Sequence, residues 1–140
     1  MVLVRLSPAA WLSVVPSMLG PMADTDTTAR LLERLAAAIA AHDWPGLTAV
    51  LAPGATVTLL HTGETFGRDA FVTFNSGYPG PWVYTADEIV DGGARAVLRA
   101  QVTSDDGTYH CASFATSAGG LLTDLLEVWT EAVAPHPTRG

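Results

Sequence analysis

The sequence predicts an α+β domain in which helices pack on one face of a curved sheet. Three observations carry that prediction. Apolar residues recur at helical spacing in the first half of the chain, while the second half is a succession of β-rich runs. Those runs are separated by Asp91-Gly92-Gly93 and Asp105-Asp106-Gly107, both with the Asp/Gly chemistry of hairpin turns. The run from Thr108 to Thr130 reads as two strands joined at Ser117-Ala118-Gly119-Gly120, where paired glycines supply the positive φ of a tight turn. Helices followed by an antiparallel meander define the class.

The first helix is expected over Asp24 to Asp43, capped by Asp26 or Thr27. Leu31, Leu32, Leu35 and Ile39 form its apolar stripe, and Arg30, Glu33 and Arg34 lie on the other side. His42-Asp43 ends it. Asp43 then caps a short helix over Trp44 to Leu51, with Pro45 tolerated in the first turn and Leu47, Val50 and Leu51 facing inward. Pro53-Gly54 stops that helix, and Ala55 to Leu60 is a β run rich in branched residues. A loop over residues 61–66 leads to Gly67-Arg68-Asp69, which opens a third helix with Phe71, Val72 and Phe74 inward; Gly77 to Pro81 ends it. Strands follow over Trp82 to Val90, Ala94 to Ser104 and Thr108 to Ser117, and the last strand runs from Leu121 to Thr130.

Composition bounds the function. At 140 residues the chain is long enough for one domain with a genuine core. Its net charge is −7, and all of its Lys+Arg complement of 7 is arginine, a bias of GC-rich bacterial coding. No basic patch suits nucleic acid or an anionic membrane, so neither is an expected partner. The single cysteine, Cys111, excludes an internal disulfide and reads as an inert buried thiol. No spacing resembles a metal site, and neither a metal nor another cofactor is expected. Residues 1–23 are apolar with one charge, Arg5. A cleaved signal peptide, an accessory helix and a natural start at Met22 compete; Pro8, Pro16 and Pro21 weigh against the signal, and a start at Met22 is favoured. The expected division is an extension over 1–23, a domain over 24–134 and a tail over 135–140, in the cytoplasm.

Along the last strand, Leu121, Thr123, Leu125, Glu127 and Trp129 form one row and Leu122, Asp124, Leu126, Val128 and Thr130 the other. Neither row is simply polar, so both faces need cover; a second copy of the chain is expected on the outer one. Glu127, between Leu125 and Trp129, would be desolvated and its pKa raised, as suits a general acid or base. Its alternative is a structural carboxylate bonded to Arg99 or to a helix N-terminus.

The strings LLERLAAAIAAHDWPGLTAVLAPGATVTLL, GETFGRDAFVTFNSGYPGPW and GGLLTDLLEVWTE, in that order, resemble the nuclear-transport-factor-two-like superfamily, and within it the SnoaL-like, polyketide-cyclase-like branch. The resemblance implies a cone-shaped fold with a pocket between the concave sheet and the helices. It implies a small apolar organic ligand and, for enzymes of the family, isomerase, cyclase or hydratase chemistry by acid–base catalysis. The pocket residues so implied are Phe71, Phe74, Tyr78, Trp82, Tyr84 and Trp129, and the strand rows offer Glu127 and His110 as the proton-handling pair. His110 pairs with Glu127 only if both face inward; a register one residue away turns His110 outward and Tyr109 in. His61 and Glu64 fall in a loop near the pocket mouth. A non-catalytic ligand-binding or dimerisation module is the alternative function.

Overall fold

The computed structural model describes Leu3–Val4 and residues 25–139. Strand β1 is Leu3–Val4, paired antiparallel with Ile89 and Val90; the other expectations for residues 1–23 lie outside the described residues. Helix α1 spans Thr28–Ala40, with the Thr27 hydroxyl accepting from the Arg30 amide. Helix α2 spans Trp44–Val50, capped by Asp43, whose carboxylate accepts from the Gly46 amide. Strands β2 (Leu51–Leu59) and β3 (Thr65–Gly67) form a hairpin, and β3 runs directly into helix α3, Arg68–Ser76. The meander follows as β4 (Trp82–Gly92), β5 (Arg95–Ser104), β6 (Gly107–Ala118) and β7 (Leu121–Glu131).

The seven strands form one curved, unclosed sheet in the order β1-β4-β5-β6-β7-β2-β3. Every pairing is antiparallel except that of β2 with β7, so the sheet is mixed where the sequence suggested a purely antiparallel one. Residues 60–120 separate β2 from β7, so no tight turn constrains their relative direction. Helix α1 lies across β4 and β5 with α2 beside it, and α3 packs on β2. Leu31, Leu32, Leu35, Leu47, Leu98 and Leu122 are fully enclosed between these layers. Each such leucine contributes about 1.5–3 kcal/mol. Among the described residues no helix is long and apolar enough to cross a membrane.

Three local differences from the sequence reading matter. Pro53-Gly54 does not precede β2 but lies within it, as an irregularity in the pairing with β7 between Leu51 and Thr56. Thr65 and Phe66 are strand, not loop, which makes 60–64 the tip of a hairpin with Gly63 at φ +82°. Glu33 is buried instead of solvated, and holds Arg30 at 2.6 Å. A second irregularity falls between Ala86 and Glu88 in β4, and a third in β7 between Leu122 and Asp124. Bulges of this kind bend and twist a strand.

Candidate functional site

A cavity of about 400 Å³ opens at the end of the sheet where β4 begins, β5 ends, β6 begins and β7 ends. That volume is in the range of small-molecule sites. Its walls come from every layer. Ile39 closes it at the end of α1, and Leu59 and His61 at the end of β2. Phe71, Phe74 and Asn75 of α3 cover it with the Tyr78-Pro79 corner. Trp82 and Tyr84 line it from β4, Val102 and Ser104 from β5, Tyr109 from β6, and Glu127, Trp129 and Glu131 from β7. Seven of the residues singled out in the sequence thus meet around one space: Phe71, Phe74, Tyr78, Trp82, Tyr84, Glu127 and Trp129. The aromatic side chains line this space without filling it.

Glu127 is 4% exposed, yet its carboxyl group reaches the cavity wall. The Ser113 hydroxyl donates to its Oε2 at 2.7 Å and the Trp129 indole N–H to its Oε1 at 3.1 Å. Neither partner is charged. Arg99, the partner that a purely structural carboxylate would have needed, binds Glu88 and Asp87 instead. Burial pushes the Glu127 pKa above the usual carboxylate range; the donors Ser113 and Trp129, and the charge of His61, pull it back only in part.

His110 is not at this site. In β6 the residues opposite Glu127, Trp129 and Glu131 are Ser113, Cys111 and Tyr109, so these face the cavity side and His110 faces outward. The cause is the irregularity near Thr123. Ala118 and Leu121 flank the Gly119-Gly120 turn, and that register carried along β7 would set Ala112 opposite Glu127. One extra residue at the bulge moves the partner to Ser113 and exchanges the two rows of β6.

Three groups missing from the predicted pair complete the site. Ser113 was hidden by that register, though it falls in one row with Tyr109 and Cys111. His61 lies two residues beyond Leu59, which is opposite Glu127 across the parallel pairing, so the strand end delivers the imidazole to the cavity. Tyr109 stands at the outer end, where partial burial and the charges of Glu131 and Asp106 raise its phenol pKa. Deeper in, burial and the charge of Glu127 hold the Tyr84 phenol well above its ordinary pKa, so it remains a neutral donor. Burial likewise pushes up the Cys111 thiol, leaving it unreactive. Among the described residues no three His, Cys, Asp or Glu side chains are placed to hold a metal ion.

Trp82 has its own support. His42 takes φ +54° immediately after α1 and packs its ring 4.4 Å from Trp82 and 5.4 Å from Trp44, measured between centroids. The Trp82 indole N–H also donates to the Tyr78 carbonyl at 3.4 Å, and Phe74 contacts Phe66 at 5.0 Å and Tyr78 edge-on at 5.7 Å.

Comparison with known proteins agrees with this geometry. The model of the SnoaL-like domain matches residues 32–125. A candidate ketosteroid isomerase from Kribbella flavida superposes with a TM-score of 0.74 at 29% identity, over 82% of this chain and 87% of that one. A nuclear-transport-factor-two-like protein of unknown function from Burkholderia xenovorans gives 0.70 at 17% identity, over 79% and 88%. A candidate polyketide cyclase from Sinorhizobium meliloti gives 0.61 at 19%, over 81% and 99%. No curated protein matches the chain. With a family model covering most of its length and an α+β cone of the same architecture, this chain belongs to the SnoaL-like domain family of the nuclear-transport-factor-two-like superfamily.

Proposed function

We propose that this protein binds a small organic molecule in the cavity and moves a proton on it, with Glu127 as the proton-handling group. The observation that carries this reading is a buried carboxyl group on the wall of an apolar cavity, oriented by Ser113 and Trp129 and neutralised by neither. A desolvated carboxyl group with a raised pKa exchanges a proton near neutral pH more readily than an exposed one. Tyr84, held neutral, can donate a hydrogen bond to an oxygen on which charge develops. His61 replaces His110 as the second group able to relay the proton. Isomerisation, cyclisation and hydration are the reactions that such a set serves, and the similarity to a candidate ketosteroid isomerase points the same way.

The test is hydrogen exchange in D2O on a panel of ketones and enones, followed by NMR. Glu127→Gln should lower exchange at the carbon beside the carbonyl by about 10²–10⁴-fold. Equal rates in the two proteins, or no exchange above background with either, contradict the reading. If Glu127→Gln binds ligand unchanged but neither protein turns it over, a binding module is the better description.

Two copies pack through the outer sheet face in this reading. Phe114, Leu126 and Val128 are 37%, 36% and 38% exposed there, with Phe114 directly opposite Leu126 and Val97. Such a patch is usually covered. Analytical ultracentrifugation of Leu126→Arg should give a monomer where the parent chain gives a dimer; a monomeric parent contradicts it.

A further inference from the structure

We propose that the ligand of this cavity carries a protonated amine, held at the mouth between Asp106 and Glu131, with its apolar body reaching inward to Glu127. This inference rests on the small-molecule reading above and names the class of molecule. Its first support is what the walls lack. Among the described residues no arginine lines the cavity, and the chain contains no lysine. Arg30, Arg34, Arg68 and Arg99 are each tied to a carboxylate elsewhere, at Glu33, Asp26, Asp69 and the Asp87/Glu88 pair. Among the described residues an anionic ligand would therefore meet no arginine on the cavity wall, and would face the carboxyl groups of Glu127, Asp106 and Glu131.

The second support is the order of the groups along the cavity. Glu131 and Asp106 act on the same phenol, Tyr109, to which Tyr78 is also close, so both carboxylates and two electron-rich rings share the mouth. Ring faces beside carboxylates suit an ammonium group, which is attracted to both. Carboxylates at the rim alone would be an ordinary acidic surface. Here they border an aromatic-walled cavity that continues past Trp82 and Trp129. Glu127 and Glu131 lie four residues apart on one face of β7, which is about 13 Å of extended strand. The fitting molecule is an amphiphile of roughly that span, with the ammonium outside and the apolar end inside.

The experiment is calorimetric titration of the full chain at pH 8 with three probes of similar shape. They are 5-phenylpentylamine, 5-phenylpentan-1-ol and 5-phenylpentanoate. The ammonium should bind at least about tenfold more tightly than the alcohol, and the carboxylate most weakly. The preference should shrink in high salt, because the mouth is open to solvent. In the double variant Asp106→Asn, Glu131→Gln the preference should fall below about threefold, with the alcohol little changed. An alcohol or carboxylate that binds as tightly as the amine overturns the amine assignment while the pocket reading stands. A preference that survives in the double variant overturns the placement at the mouth. If none of the probes binds, the pocket reading falls with it.

Discussion

One face of one sheet carries two environments. Beneath α1, the cavity-side row presents Ile89, Leu98, Ala96, Ala115, Leu122 and Leu125, each 1% exposed or less. A few residues along the same strands, that row becomes Tyr84, Val102, Tyr109, Glu127 and Trp129 around an open cavity. The same strands run through both regions, with unbroken pairing of β5 with β6 and one irregularity in β4 between Ala86 and Glu88. What differs is whether a helix seats against the strands. Aliphatic side chains fill the space where α1 lies flat on β4 and β5. Past Ile39, near the end of α1, aromatic and polar groups line a space that the protein does not fill. A SnoaL-like cone can thus hold a filled core and an open cavity on the same strands.

Substitutions at matched positions sharpen that division. The largest effect belongs to the filled end. Leu125→Ala should lose about 2–5 kcal/mol in urea denaturation, since the enclosed space cannot collapse. Phe74→Ala on the cavity wall should lose well under half as much, because Phe74 is already partly exposed; equal losses would erase the distinction. Ser113→Ala lies at the junction. It should cost about 1–3 kcal/mol, by leaving a buried carboxyl oxygen without its donor. It should also raise the Glu127 pKa further, since that donor stabilises the ionised form. At His42 the prediction is a difference. Both His42→Ala and His42→Gly lose the ring between Trp44 and Trp82, but Ala retains a left-handed φ, so it should be less stable than Gly by about 1 kcal/mol. Equal stabilities would show that the backbone there relaxes.

The pH dependence is the subtlest effect. Glu127 has a higher pKa folded than unfolded, so its protonated form favours folding. That contribution is complete below the unfolded value near 4.3 and is lost as pH rises through the raised folded value. Glu127→Gln should therefore gain stability relative to the parent chain as pH rises across that window. Parallel pH profiles would mean that Glu127 is not perturbed.

Much of this was legible in the chain. The caps at Thr27 and Asp43, the apolar stripe of α1 and the Asp/Gly turns are local signals, and they place helices and meander close to where they form. The convergence of Phe71, Tyr84 and Glu127 came from the resemblance to the family, since nothing local brings α3, β4 and β7 together. The failures share a cause. Pairing across strands depends on single-residue irregularities that composition does not mark. Thr123 is an ordinary strand residue, yet the bulge beside it decides that Ser113, not His110, belongs with Glu127. The parallel pairing of β2 with β7, which brings His61 to the cavity, joins segments too distant for any turn to announce.

The central claim is that Glu127 is a desolvated carboxyl group on the wall of a ligand cavity. Carboxyl-labelled NMR, with the resonance assigned by its absence in Glu127→Gln, measures this directly. Titration distinctly above the other carboxylates of the chain, with a further rise in Ser113→Ala, is the result predicted. Titration at or below about 4.3, unmoved by Ser113→Ala, would make Glu127 an ordinary carboxylate and remove the basis for proton transfer at this site.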